Sequence, residues 1–149
     1  MSSGRYVMPT GARGPDLLVD TSVAVALTVA DHEHHSSAIQ ALGHLALGLA
    51  GHAAFETFSV LTRLPPPTRR TPAAITRLLT SAFPHSKFLG ARAAAALLSE
   101  LAGSGLAGGA VYDALVGAVA REHRLTLASR DRRAVATYRA LGVQVELLD

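Results

Sequence analysis

Short apolar runs alternate with longer amphipathic segments from residue 17 to the C-terminus, and this alternation constrains the fold more than any other feature of the chain. Residues 17–20, 45–50, 87–89, 125–128 and 143–148 read as strands, the second of them in spite of Gly48. Residues 23–29, 36–44, 71–82, 91–102, 111–123 and 132–141 read as helices, and a further helix starts near Ala53 and stops at the Pro65-Pro66-Pro67 run, whose rings cannot continue it. Thr21 and Ser22 can cap the first helix, Thr71-Pro72 is a cap and first-turn pair, and Gly142 ends the last helix. Residues 103–109, with four glycines, read as a flexible loop. Strands that recur between helices predict βαβ units, hence an α/β fold: a three-layer sandwich whose central, mainly parallel sheet is covered by helices on both faces.

With 149 residues, 49% of them hydrophobic and 17% charged, the chain holds about one domain and can bury its own core. Residues 17–149 are expected to form that domain, and residues 1–16, MSSGRYVMPTGARGPD, a disordered N-terminal extension without the apolar centre of a signal peptide. No run of 18 apolar residues occurs, so no membrane partner is expected. Zero cysteines exclude a thiolate nucleophile, cysteine-ligated zinc and an iron–sulfur cluster, and suit a cytoplasmic protein. The formal charge of +3 comes almost wholly from arginine, which permits a nucleic-acid partner and equally reflects a preference for arginine over lysine.

Four carboxylates stand apart from the other acids because their neighbours are apolar or small: Asp20, Glu56, Asp113 and Asp131. In a parallel sheet, ligands sit beyond the carboxyl ends of the strands. Asp20 ends the first strand there, and Asp131 follows the strand at 125–128 by three residues. Glu56 and Asp113 lie near the starts of helices that begin at the same edge. Ionised carboxylates gathered in a partly buried cleft repel one another, and a hard divalent cation relieves them; Mg²⁺, with Mn²⁺ as a substitute, suits oxygen-only ligation. The plain alternative is that Asp113 and Glu56 favour helix starts while Asp20 and Asp131 cap turns.

The contexts Val19-Asp20-Thr21-Ser22, Phe55-Glu56-Thr57, Val111-Tyr112-Asp113-Ala114-Leu115 and Ser129-Arg130-Asp131-Arg132-Arg133-Ala134 resemble the acidic motifs of the PIN-domain ribonucleases, and more narrowly those of the VapC-type toxins. The resemblance runs from Leu17 to the C-terminus; one departure is Arg130, where related chains often carry asparagine or another small polar residue. It implies a metal-dependent endoribonuclease that cuts RNA phosphodiester bonds as the toxin of a type II toxin–antitoxin pair. It further implies a cognate antitoxin whose C-terminal segment lies in the active-site groove. On that footing Asp20, Asp113 and Asp131 hold one or two Mg²⁺ ions, with Glu56 acting partly through water, and Thr21 or Ser22 orients a ligand or a phosphate.

Arg130, Arg132 and Arg133 beside Asp131 are candidates to clamp the RNA backbone, and Arg69-Arg70 share that reading with an exposed helix end. His32, His34 and His35 lack metal-ligand spacing on one helix face and read as surface or capping groups. Aromatic residues make up 5% of the chain, so recognition through shape and backbone is expected ahead of base-stacking platforms. Phe55, Phe58 and Leu61 share a helical face that is either core or the surface of a homodimer. Two rival functions remain. An aspartate-dependent phosphatase would use Asp20 but lacks the second aspartate two residues on, and an RNA-binding or complex-forming module would hold RNA in the same cleft without cutting it.

Overall fold

Leu17 and Val19 turn to one side of strand β1 (Leu17–Val19) and Leu18 to the other, and each side meets its own layer of helices. A computed structural model describes residues 14–149. Beneath Leu17 and Val19 lie Val23 of α1 (Thr21–Thr28), Leu42 of α2 (His35–Leu42), Leu61 of α3 (His52–Thr62) and Ile75 of α4 (Pro72–Ala82). Opposite, Leu18 packs with Leu97 of α5 (Ala91–Ser104), Val119 of α6 (Ala110–His123) and Tyr138 of α7 (Arg132–Ala140). Strands β2 (Leu47–Leu49), β3 (Leu127–Ser129) and β4 (Val145–Leu147) complete a sheet of order β2-β1-β3-β4 in which every pairing is parallel. Strands buried on both faces are continuous apolar runs for this reason, and the predicted three-layer α/β sandwich is the observed one.

Several local expectations are corrected by the structure. Asp20, not Thr21 or Ser22, caps α1: its backbone is extended and its carboxylate accepts from Val23 N, so Thr21 and Ser22 become the first helical residues. The helix expected at 91–102 continues to Ser104, because Gly103 is accommodated within it and Gly105, at φ +76°, supplies the left-handed cap. The strand expected at 87–89 shrinks to one bridge, Ala50 with Lys87, held by Lys87 N to Leu49 O at 3.1 Å and Gly51 N to Lys87 O at 2.7 Å.

Three acids outside the group of four also find partners. Asp16 accepts from Ala46 N at 2.7 Å, Glu100 receives both terminal nitrogens of Arg121, and Glu122 accepts from Gly90 N at 3.0 Å. Of the expected N-terminal extension, residues 1–13 lie outside the described residues, while Asp16 belongs with the sheet through the contact just given and through Asp16 N to Ala46 O at 2.7 Å. The face expected for Phe55, Phe58 and Leu61 divides: Leu61 is core, Phe58 is partly buried against it, and Phe55 is 66% exposed.

Gly48 has a specific reason to be glycine. A Cβ there would collide with the backbone carbonyl of His85, in the segment that runs along the outer side of β2 and donates His85 N to Leu47 O. Gly48→Ala is therefore expected to destabilise the domain by about 2 kcal/mol, since the obstacle is main chain and cannot rotate away. Urea unfolding measures this directly, and a midpoint equal to that of the wild type would contradict the close approach.

Candidate active site

Strands β1 and β3 are neighbours where the strand order turns back, so their carboxyl ends open a single crevice. Asp20 leaves β1 at this point and is only 3% exposed. Its Oδ2 accepts from Ser129 Oγ at 2.6 Å and Tyr138 Oη at 2.9 Å, while Oδ1 accepts from Ser22 Oγ at 2.6 Å and Val23 N at 3.3 Å. Burial pushes the Asp20 carboxyl above the usual aspartate range, and these donors hold it back without cancelling the effect. The Tyr138 hydroxyl is pushed up in turn, by its own burial and then by the negative Asp20, so it stays a neutral donor.

Glu56 lies one turn into α3. Thr21 Oγ1 donates to its Oε2 at 3.0 Å, and His52 Nε2 stands 3.1 Å from its Oε1. Asp131 caps α7 by accepting from Arg133 N at 3.0 Å, with Arg133 Nε 3.7 Å from the same oxygen, and its own N–H donates to Ser129 Oγ. Asp113, in the first turn of α6, is half-buried. Its carboxyl is pushed up by burial and then by the charges of Asp131, Glu56 and Asp20; Arg133 opposes the shift and no hydrogen bond does. Asp113 therefore feels each of the other three expected carboxylates across the crevice.

The donor chemistry suits a hard divalent cation, since carboxylate and hydroxyl oxygens dominate the crevice and the uncompensated charge gathers at Asp113. Among the described residues no three carboxylate or imidazole groups already stand close enough to enclose an ion. Asp20 has about four lone-pair sites and four donors on them, so it reaches an ion only if a hydroxyl gives way. Ser22 also accepts from Arg130 N at 2.8 Å, which makes it a link between β3's end and α1. Arg130 itself turns its Nε to the main-chain oxygen of Asp149 at 3.1 Å, while Arg132 and Arg133 are exposed.

Three side chains at the site escape the sequence reading of it. His52 precedes Glu56 by four residues on one helix, the spacing at which side chains meet, so a signal was present. Ser129 is a polar residue closing an otherwise apolar strand, a weaker signal. Tyr138 sits 118 positions from Asp20 and reads locally as one more apolar position of α7. Only the packing of α7 onto the sheet brings its hydroxyl to the carboxylate.

A parallel sheet in this strand order with carboxylates gathered at its carboxyl edge has a counterpart among known proteins: residues 17–140 match the PIN domain, and the chain belongs to that family. Within the family it stands with the VapC ribonucleases. It is 47% identical over 131 residues to ribonuclease VapC27 of Mycobacterium tuberculosis, an alignment covering 88% of this chain and 96% of the relative. Two solved structures share the fold. VapC20 of Mycobacterium tuberculosis, a sarcin-ricin loop cleaving toxin, superposes with a TM-score of 0.61 at 22% identity, over 80% of this chain and 92% of that one. VapBC2 from Rickettsia felis, bound to a DNA fragment from its promoter, gives 0.64 at 15% identity, over 89% and 98%.

Two expected outcomes follow from the geometry. Asp113→Asn should raise the melting temperature of the metal-free protein at pH 7. A carboxyl whose folded-state pKa is raised weakens the fold above that value, and the penalty is relieved as pH falls toward the ordinary value of 3.8. The advantage of the variant should accordingly shrink in acid; calorimetry in chelator at two pH values reads this, and an unchanged or lower melting temperature at pH 7 would contradict it. Asp20→Ala, by contrast, should cost about 3 kcal/mol of stability, because the buried hydroxyls of Ser129 and Tyr138 lose their acceptor. Urea unfolding of that variant at wild-type stability would remove Asp20 from its structural role.

Proposed function

We infer that this chain is an RNA-cleaving hydrolase, an endoribonuclease acting as the toxin of a toxin–antitoxin pair, with the crevice at the ends of β1 and β3 as its active site. The observation that carries the reading is the convergence of Asp20, Glu56, Asp113 and Asp131, felt most at Asp113. Asp113, Asp131 and Asp20 would hold Mg²⁺, or Mn²⁺ in its place, with Glu56 acting partly through water. A divalent cation bound there neutralises charge at the scissile phosphate and acidifies a water for in-line attack.

The protein's own residues prepare that chemistry. Ser129, Tyr138 and Ser22 fix the rotamer of Asp20, and Thr21 and His52 fix Glu56. Arg132 and Arg133, both exposed beside Asp131, would meet phosphates of the RNA and offset the repulsion of a polyanion by an acidic crevice. Arg130 contributes its main-chain N–H to Ser22 and engages the C-terminal residue with its side chain, so its part is support of the crevice wall.

The phosphatase reading loses ground, because the position two residues after Asp20 holds Ser22, which donates to the Asp20 carboxylate, and not a second aspartate. The antitoxin is expected to insert a basic residue among the carboxylates, where an arginine can bridge two of them and replace the cation. Action on cytoplasmic RNA belongs to the proposal as the place where an RNA-cutting toxin would slow growth.

The test uses Asp113→Asn, which leaves the Asp20 network whole. Wild type, freed of any partner, should cut RNA in Mg²⁺ and stop in EDTA, and its expression alone should slow growth; Asp113→Asn should bind RNA, fail to cut it and be harmless. Equal cleavage by the wild type and Asp113→Asn at saturating Mg²⁺ would overturn the site. RNA binding by the wild type without cleavage in Mg²⁺ would favour the binding-module reading.

A further inference from the structure

Aromatic residues are scarce in this chain, yet one aromatic pair lies at the mouth of the crevice. Tyr112 immediately precedes Asp113 in the first turn of α6, and its ring lies on that of His52, the first residue of α3. The centroids are 5.2 Å apart and the planes 22° from parallel. His52 is in turn tied to Glu56 at 3.1 Å, so the stack is built from the two helix starts that carry Glu56 and Asp113. Tyr112 is 53% exposed, in contrast to Tyr138, which is buried to serve Asp20.

We propose that Tyr112, backed by His52, is a stacking platform for an unpaired RNA base next to the scissile phosphate. The proposal rests on the ribonuclease reading above and adds a base-recognition subsite to it. One face of the phenol ring is covered by an imidazole that Glu56 restrains, so the ring is held in place before RNA arrives. The 53% of Tyr112 that stays exposed is the surface on which a third aromatic layer would lie. Sequence-specific readers of RNA address unpaired bases, splaying them onto aromatic side chains, and stacking tolerates any base because each has a π-face. A platform one residue from Asp113 couples the position of that base to the position of the phosphate among the carboxylates. It also modifies the expectation that this chain recognises RNA through shape and backbone ahead of base-stacking platforms.

The probe is a short single-stranded oligoribonucleotide of mixed sequence carrying 2-aminopurine, whose fluorescence is quenched on stacking. Binding is measured in the Asp113→Asn background, where the RNA stays intact, and steady-state cleavage in the otherwise wild-type chain with Mg²⁺. Tyr112→Ala is expected to lose the quench and to raise Kd and KM by about tenfold, the loss falling on KM rather than kcat. Its melting temperature should stay close to that of the parent. Tyr112→Phe should restore most of the affinity and the quench. Phe88→Ala removes an exposed ring from the separate Phe55–Phe88 pair and should change neither.

A quench and KM unaltered in Tyr112→Ala, or an equal loss in Phe88→Ala, would overturn the platform while leaving the nuclease in place. Absence of cleavage by the wild type, with a quench that still depends on Tyr112, would overturn the nuclease reading and leave the base subsite standing.

Discussion

The carboxylate of Asp20 is the joint on which the crevice depends. It is buried at the end of β1 and accepts from groups carried by α1, β3 and α7, so three elements distant in sequence are fixed relative to one another by one side chain. Hydrogen bonds to an ionised acceptor in a poorly solvated setting are stronger than neutral ones, and an orphaned donor there is costly. The same arrangement that stabilises the charge also closes the sheet edge around it. A structural role and the proposed chemical role therefore meet at Asp20, and stability measurements on a variant of this residue separate the two.

The other acids are balanced unequally. Thr21 and His52 attend Glu56, and the start of α7 together with Arg133 attends Asp131. Asp113 has the repulsion of all three neighbours and only Arg133 in opposition. The unmet charge of the crevice is thus concentrated at the first turn of α6, beside the exposed Tyr112. A polyanionic substrate adds to that charge rather than relieving it, which is why a cation, or an arginine from an inhibitor, has a physical reason to bind where it is proposed.

Much of this was legible in the chain. Both-sided burial makes a parallel strand a continuous apolar run, so the strands expected at 17–20, 45–50 and 125–128 were legible, and the βαβ alternation carried the layer architecture with them. The four carboxylates could be assigned to one edge because strand direction in a parallel sheet decides which end of each helix faces that edge. Errors fell at one local cap and where a neighbour remote in sequence decides the outcome. The capping of α1 went to Asp20 because its extended backbone, continuing β1, places the carboxylate over the first free N–H groups. The expected strand at 87–89 closed to a single bridge, and Gly48 proved necessary for the close passage of His85.

The sequence by itself determined the periodicities, hence the elements, their parallel arrangement and the side of the sheet on which the acids gather, since each of these follows from local pattern and chirality. Tertiary structure alone decided which polar groups complete the site. Tyr138 and Ser129 reach Asp20 across more than 100 positions of chain, and His52 meets Tyr112 only because α3 and α6 begin side by side. Local pattern registers how a residue relates to its own helix or strand. Hydrogen bonds and ring stacking between elements depend on distances that arise only when the helical layers close on the sheet.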